Sequence, residues 1–171
     1  YLVKKVVFNV EVLPVIKLVS CLLVHAIFVM IMIAMFFCYG RLPLITWLQL
    51  AYYSAALSVL ILALTLVTSA VQVFFRDMSK IVSICLQFGM WLVPIMWAPE
   101  MFPNFPPKLL PILKLNPIHY IVSGYRDSMI AGNWFFERPM QSLYFWAVTL
   151  ALLALGLRLF RKLRPHFSDV L

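Results

Sequence analysis

The amino-acid sequence predicts an all-α fold, a polytopic membrane helix bundle with short re-entrant or interfacial helices on its outer side. Three observations carry that expectation. Four apolar stretches reach or approach the roughly 20 residues that a helix needs to cross a hydrocarbon core about 30 Å thick. The stretches are continuous, without the polar and apolar alternation of a membrane barrel strand, so their backbone groups must be satisfied within helices. Hydrophobic residues make up 64% of the 171 and charged residues only 12%, with a mean hydropathy of +0.98, far from the balance of a water-soluble domain.

The chain reads as one transmembrane domain, residues 1–171. It opens with YLVKKVVFNVEVLP (1–14), which sets Val3, Val6, Val7 and Val10 on one helical face, with Lys4, Lys5 and Glu11 mostly on the other, before Pro14 limits the helix. Such a segment lies along a membrane surface, against lipid headgroups or a docking partner. The opening Tyr1 and the charged start, which is not a signal-peptide pattern, read as a segment of a longer protein. The first span is expected over about 18–39, stopped by Gly40 and Arg41. The second falls over about 50–74, with its outer end beginning in the interface near Trp47, Tyr52 and Tyr53. VFFRDMSK (73–80) then breaks the apolar run and reads as a tight turn, Arg76 and Asp77 capping the adjoining helices. A third span follows over about 81–97, where Pro94 kinks or ends it. The last covers about 140–157.

Residues 98–139 form an external excursion. Pro99, Pro103, Pro106, Pro107 and Pro111 keep any long helix from passing through its first half. NPIHYIVSGYRDSMIAG then gives a short amphipathic helix, with Asn116 as N-cap, Pro117 in the first turn and Gly132 near the end. Ile118, Ile121, Val122, Tyr125 and Met129 share one face, and His119, Ser123 and Arg126 another. With Arg126 and Asp127 on it, this helix rests in the outer interface or dips and returns. The basic tail, 158–171, reads either as a topology anchor or as a contact for a partner.

Orientation follows from the cations. The 1–17 segment, the Arg76 turn and the tail hold Lys4, Lys5, Lys17, Arg76, Lys80, Arg158, Arg161, Lys162 and Arg164. The opposite side holds Arg41, Lys108, Lys114, Arg126 and Arg138. This asymmetry puts both ends of the segment in the cytoplasm and makes nucleic-acid binding a poor explanation of the positive charge.

Chemistry of its own is not evident. There is no GxxxxGK[ST] loop for ATP, no GxSxG, no HExxH and no acidic pair for a metal-dependent transferase. Cys21, Cys38 and Cys85 lie in apolar runs without zinc-site spacing and read as packing or lipid-facing residues. The spans carry no Asp or Glu, which disfavours transport driven by an ion gradient; His25 reads as a neutral imidazole bonded to a helix. Phe88 and Trp91, three residues apart, and Trp97 beyond them offer broad aromatic faces suited either to packing or to a sliding sugar chain.

Taken together, LVKKVVFNVEVLP, VFFRDMSKIVSICLQFGMWLVPIMW, LNPIHYIVSGYRDSMI and FRKLRPHFSDVL resemble the ABC-2 type permease subunits of bacterial polysaccharide exporters, the O-antigen and teichoic acid export permeases. The resemblance covers essentially the whole chain. It departs from the family at Asn9, where proline is frequent.

What this likeness implies is the type V exporter transmembrane-domain fold, of which this chain would be the later two-thirds. It further implies two permease copies paired with two ATP-binding subunits that hold ATP and Mg, and a lipid-linked polysaccharide moved across the inner membrane. By position, Lys4, Lys5, Glu11, Arg76 and Asp77 would couple to the ATP-binding subunit, and Phe88, Trp91 and Trp97 would flank the path. Asn116, Pro117, Tyr125 and Arg126 would belong to the outer helix. An exporter of a lipid or small molecule with the same architecture, or a membrane-embedded enzyme acting on lipid-linked sugars, is the alternative.

Overall fold

The structure is a computed structural model that describes residues 12–75, 77–97, 101–103, 106 and 108–163. No strand occurs among them, and the chain divides into two units, residues 1–42 and 43–171.

The first unit contains helix α1, Val12–Cys38. Pro14 falls in its first turn, where the missing N–H has no intrahelical partner to lose. Gly40, with φ of +68°, closes the other end: its N–H donates to Phe37 O at 3.0 Å and that of Arg41 to Phe36 O at 3.0 Å. Apolar side chains cover α1 on all sides, with Leu23, Phe28, Met30 and Phe37 exposed, as a helix surrounded by lipid or other chains requires.

The second unit is built on a pair of long helices, α2, Gln49–Gln72, and α6, Pro139–Leu163. A 3-10 turn, Ile45–Leu48, leads into α2. Along α2 the buried residues Gln49, Tyr53, Ala56, Leu60, Ala63, Leu66 and Ala70 recur at three- and four-residue steps, the seam of a helix packed lengthwise on a neighbour. Lipid tails are as apolar as leucine, so close backbone approach has to do what hydrophobic contrast does in water. Alanines at every seventh position of α2 and Gly156 on α6 provide it: a Cβ at Gly156 would stand 2.9 Å from Leu66 Cβ and 3.2 Å from Ala63 O.

Helix α3, Met78–Leu92, has 15 residues and none of them is buried. At about 1.5 Å per residue it is roughly 22 Å long, short of a hydrocarbon core. The third apolar stretch was expected to be helical to about Trp97; it stops at Leu92 because Val93, the residue before Pro94, is held extended at φ −80° and ψ 128°. Pro94 therefore ends this helix and does not kink it. Three helices, Pro14–Cys38, Ile45–Gln72 and Pro139–Leu163, are long and apolar enough to cross a membrane.

Between α3 and α6 come α4, Leu109–Lys114, and α5, Pro117–Arg126, continued by a π turn, Asp127–Ala131. The expected cap is present, the Asn116 side chain accepting from Ile118 N at 3.0 Å. Gly132, at φ +75°, ends the π turn. A 3-10 turn, Phe135–Glu137, leads to α6. Together α4, α5 and these turns close one end of the α2–α6 pair.

Candidate functional site

The cap is fastened by polar side chains from the first residue of α2 and the 3-10 turn before it, which the sequence placed merely at an interface. Gln49 is buried and acts as a clamp: its Nε2 donates to Asn133 O at 3.0 Å, while Phe135 N donates to its Oε1 at 2.7 Å. Thr46 Oγ1 donates to Ser128 O at 2.7 Å, and Ser128 Oγ donates to Gly124 O at 2.7 Å. Buried polar groups of this kind persist because each is satisfied. Neither Thr46 nor Gln49 stood out in the sequence; a polar pair at the mouth of an apolar run is the signal that could have found them.

An aromatic cluster fills the space below the clamp. Tyr52 stacks on Phe135 with ring centroids 4.7 Å apart, and Tyr120 stacks on Phe145 at 4.9 Å. Trp146 Nε1 donates to Tyr52 OH at 2.9 Å, and the hydroxyls of Tyr52 and Tyr120 lie 3.2 Å apart. Tyr125 and Ser54 pair their hydroxyls at 2.7 Å. Helix α5 comes so close to α2 that a Cβ at Gly124 would overlap the Tyr53 ring. Burial raises the Tyr120 phenol well above the ordinary tyrosine value, although the Ser142 hydroxyl opposes the shift. Burial also raises Tyr125, with the Ser54 hydrogen bond working the other way.

The opposite face of α5 lines a cavity of about 630 Å³. His119, Ser123 and Arg126, expected on one face, meet there with Lys114 from α4 and Gln141 from α6. The Ser123 hydroxyl lies 3.3 Å from His119 Nδ1. Arg138 Nη1 stands 2.9 Å from Asp127 Oδ2 and its Nη2 donates to Asp127 Oδ1 at 3.2 Å, a bidentate pair on the cavity wall. Arg126 acts on the backbone instead, its Nη2 donating to Ile95 O at 2.8 Å and to Trp97 O at 2.9 Å. Carbonyls past the end of a helix lack intrahelical partners, and Arg126 supplies donors to two of them just beyond α3.

The remaining residues singled out in the sequence are scattered. Phe88 and Trp91 are exposed on α3, at 72% and 74%. Trp97 is half-buried, its Nε1 donating to Trp91 O at 3.2 Å. Asp77 does not cap α3 with its side chain; it pairs with Lys80 at 2.9 Å, both groups exposed. Lys4, Lys5, Glu11 and Arg76 lie outside the described residues. No group of three or more His, Cys, Asp or Glu side chains that could hold a metal ion occurs among the described residues.

Fold and site thus define an all-α polytopic membrane protein, a helix bundle closed at one end by a hydrogen-bonded cap whose outer face lines a cavity. Its relatives sharpen that class. The chain is similar to two O-antigen export system permease proteins, RfbA, of Klebsiella pneumoniae, at 25% and 26% identity over 99% of its length. It is also similar to the O-antigen export system permease protein RfbA of Myxococcus xanthus, at 27% identity over 98% of its length. The chain spans 64% of the length of each of these curated relatives. No family model matches the sequence. The likeness read from its motifs and the names of these relatives agree.

Proposed function

We propose that this chain is the later part of a permease subunit of an ATP-driven exporter that moves a lipid-linked polysaccharide, such as O-antigen, across the bacterial inner membrane. The observation that carries this reading is the end-to-end similarity to proteins named O-antigen export system permeases. Two permease copies flank the path and two ATP-binding subunits, with ATP and Mg, act on them from the cytoplasm, where both ends of this segment lie. The chain itself is non-catalytic.

In this reading the capped end, with Asn116, Pro117, Tyr125 and Arg126, faces outward, and the Asp77 turn faces the ATP-binding subunit. Lys4, Lys5, Glu11, Arg76 and Asp77 receive the push. The path runs along α3. Exposed Phe88 and Trp91 share that helix with exposed Ser79, Ser83 and Gln87, which follow one another every fourth residue. A groove of about 270 Å³ lined by Thr68, Ser69, Gln72, Ser79 and Val82 adds hydroxyl and amide groups where α2 meets α3. Aromatic faces and hydroxyls accommodate a sugar chain without holding any one unit tightly, which conduction of a polymer requires.

The test is an export assay with the full-length permease and its ATP-binding partner in vesicles. Asp77→Arg should leave membrane insertion intact, keep ATP hydrolysis running and cut polymer export by about tenfold or more, a loss of coupling equivalent to about 1.4 kcal/mol or more. Export at the unaltered rate would remove Asp77 from the coupling surface.

A further inference from the structure

We infer that the exposed side of α6 holds an anionic glycerophospholipid, its acyl chains lying along the helix and its phosphate diester seated on Arg158, Arg161 and Lys162. On a helix of 3.6 residues per turn, positions 158, 161 and 162 fall within about 100° of one another, and all of them are exposed. Gly156 and Phe160, which face Leu66 of α2, project from the opposite side. The cations therefore point away from the helix pair, toward whatever surrounds it.

No carboxylate among the described residues answers their charge. Asp77 pairs with Lys80, Asp127 with Arg138, and the Glu137 side chain accepts from Trp134 N at 3.0 Å. Helices α1, α2 and α6 contain no Asp or Glu, so the membrane helices of this chain have no counter-charge to bring. The carbonyl end of a helix attracts cations within its last turn, which suits Arg161 and Lys162. Arg158 lies before that turn, so the helix end does not account for it.

The side of α6 that carries the cations is otherwise apolar, with Leu143, Ala147, Leu150, Ala154 and Leu155 exposed. At about 1.5 Å per residue the run from Leu143 to Leu155 rises about 18 Å, more than the half-thickness of about 15 Å of a hydrocarbon core. An acyl chain that reaches the middle of the bilayer thus lies against this face for its whole length, and its phosphate arrives at Arg158 and, a turn further, at Arg161 and Lys162. Long cationic side chains keep their stems on apolar surface and their charged heads among the headgroups. A soluble acidic partner would meet the cations and leave the apolar run bare. A second copy related by a twofold axis along the membrane normal would set each cation against its own counterpart, a repulsion that no carboxylate of α6 relieves. A lipid with a net negative headgroup satisfies both halves of the surface, whereas a zwitterionic one brings a cation of its own.

The experiment uses the full-length permease, delipidated in detergent, and follows lipid adducts by native mass spectrometry as phosphatidylglycerol or phosphatidylcholine of equal chain length is added. Phosphatidylglycerol should bind about tenfold more tightly or better. Arg158→Gln should cut that preference about fivefold, the factor expected for one cation near an anionic surface, and the combined Arg158→Gln, Arg161→Gln, Lys162→Gln variant should abolish it. Arg158→Lys with Arg161→Lys should retain it, and Lys80→Gln, which removes an exposed cation from another helix, should leave it unchanged. Where the combined variant fails to insert, Arg158→Gln alone decides. Equal binding of the two lipids, neutral variants with the parent's preference, or a loss as large from Lys80→Gln would overturn the inference. So would displacement of phosphatidylglycerol by the ATP-binding subunit, which would assign the cations to a protein surface. Adducts are read without substrate or nucleotide, so this result stands apart from whether the protein exports a polysaccharide.

Discussion

Arg126 shows how far a single side chain can decide local structure. Two carbonyls beyond the end of α3 have it as donor, and hydrogen bonds to a charged group contribute about 1.5–3 kcal/mol each. Arg126→Leu should therefore release Val93–Trp97, seen as faster amide exchange across that segment, while Arg126→Lys should recover part of the protection. An exchange pattern unchanged in Arg126→Leu would show that Pro94 alone fixes the segment. Much at this scale was legible in the sequence: Asn116 is a side-chain acceptor before a proline, and it caps α5 as its type and position require. Arg126 was visible as a cation on the polar face of α5, but its partners lie 31 and 29 residues away, and no local pattern encodes a contact of that separation. Asp77 misled for the opposite reason. Its place ahead of a helix suits a cap, yet Lys80, three residues on, competes for the same carboxylate and holds it.

Among elements, the α2–α6 pair was readable as two apolar spans, whereas their seam was not singled out. Ala56, Ala63 and Ala70 are buried completely, and alanine is too common in membrane helices to mark a seam until the facing residue is known. Gly156→Leu forces side-chain atoms into Leu66 and the Ala63 carbonyl. Overpacking of this kind costs about 1–3 kcal/mol, so the variant should unfold at a lower temperature in detergent, with α2 and α6 exchanging first. The cap carries a pH dependence of its own. Burial favours the neutral Tyr120 phenol, so its contribution is complete below about pH 10, the ordinary tyrosine value, and is lost as the pH rises through the raised value. The thermal midpoint of the parent should fall more steeply above that point than that of Tyr120→Phe; parallel curves would assign the alkaline loss to other groups. The aromatic content announced a cluster or a path, and the cluster at Tyr52, Tyr53, Tyr120 and Phe145 emerged only once α5 folded back onto α2.

Across the whole molecule, the division between a tightly joined pair and a bare rod is what distinguishes the described parts. Residues of α2 and α6 bury one another, while α3 buries none of its own. Four spans were expected from the apolar runs, whereas three described helices are long and apolar enough to cross a membrane; α3 falls short because its end is fixed by the pairing of Val93 with Pro94 rather than by where hydrophobicity stops. If the path runs along this rod, Trp91→Ala should lower polymer export several-fold while ATP hydrolysis by the assembled transporter stays within about twofold, rates that a reconstituted assay separates. Equal loss of both activities would make Trp91 a packing residue. The Arg126 anchorage then acquires a mechanical meaning. A stiff rod held just beyond its far tip cannot swing alone: any tilt begun at the Asp77 turn is handed on to the roof through Ile95 and Trp97, so the two ends of α3, about four helical turns apart, answer to one lever.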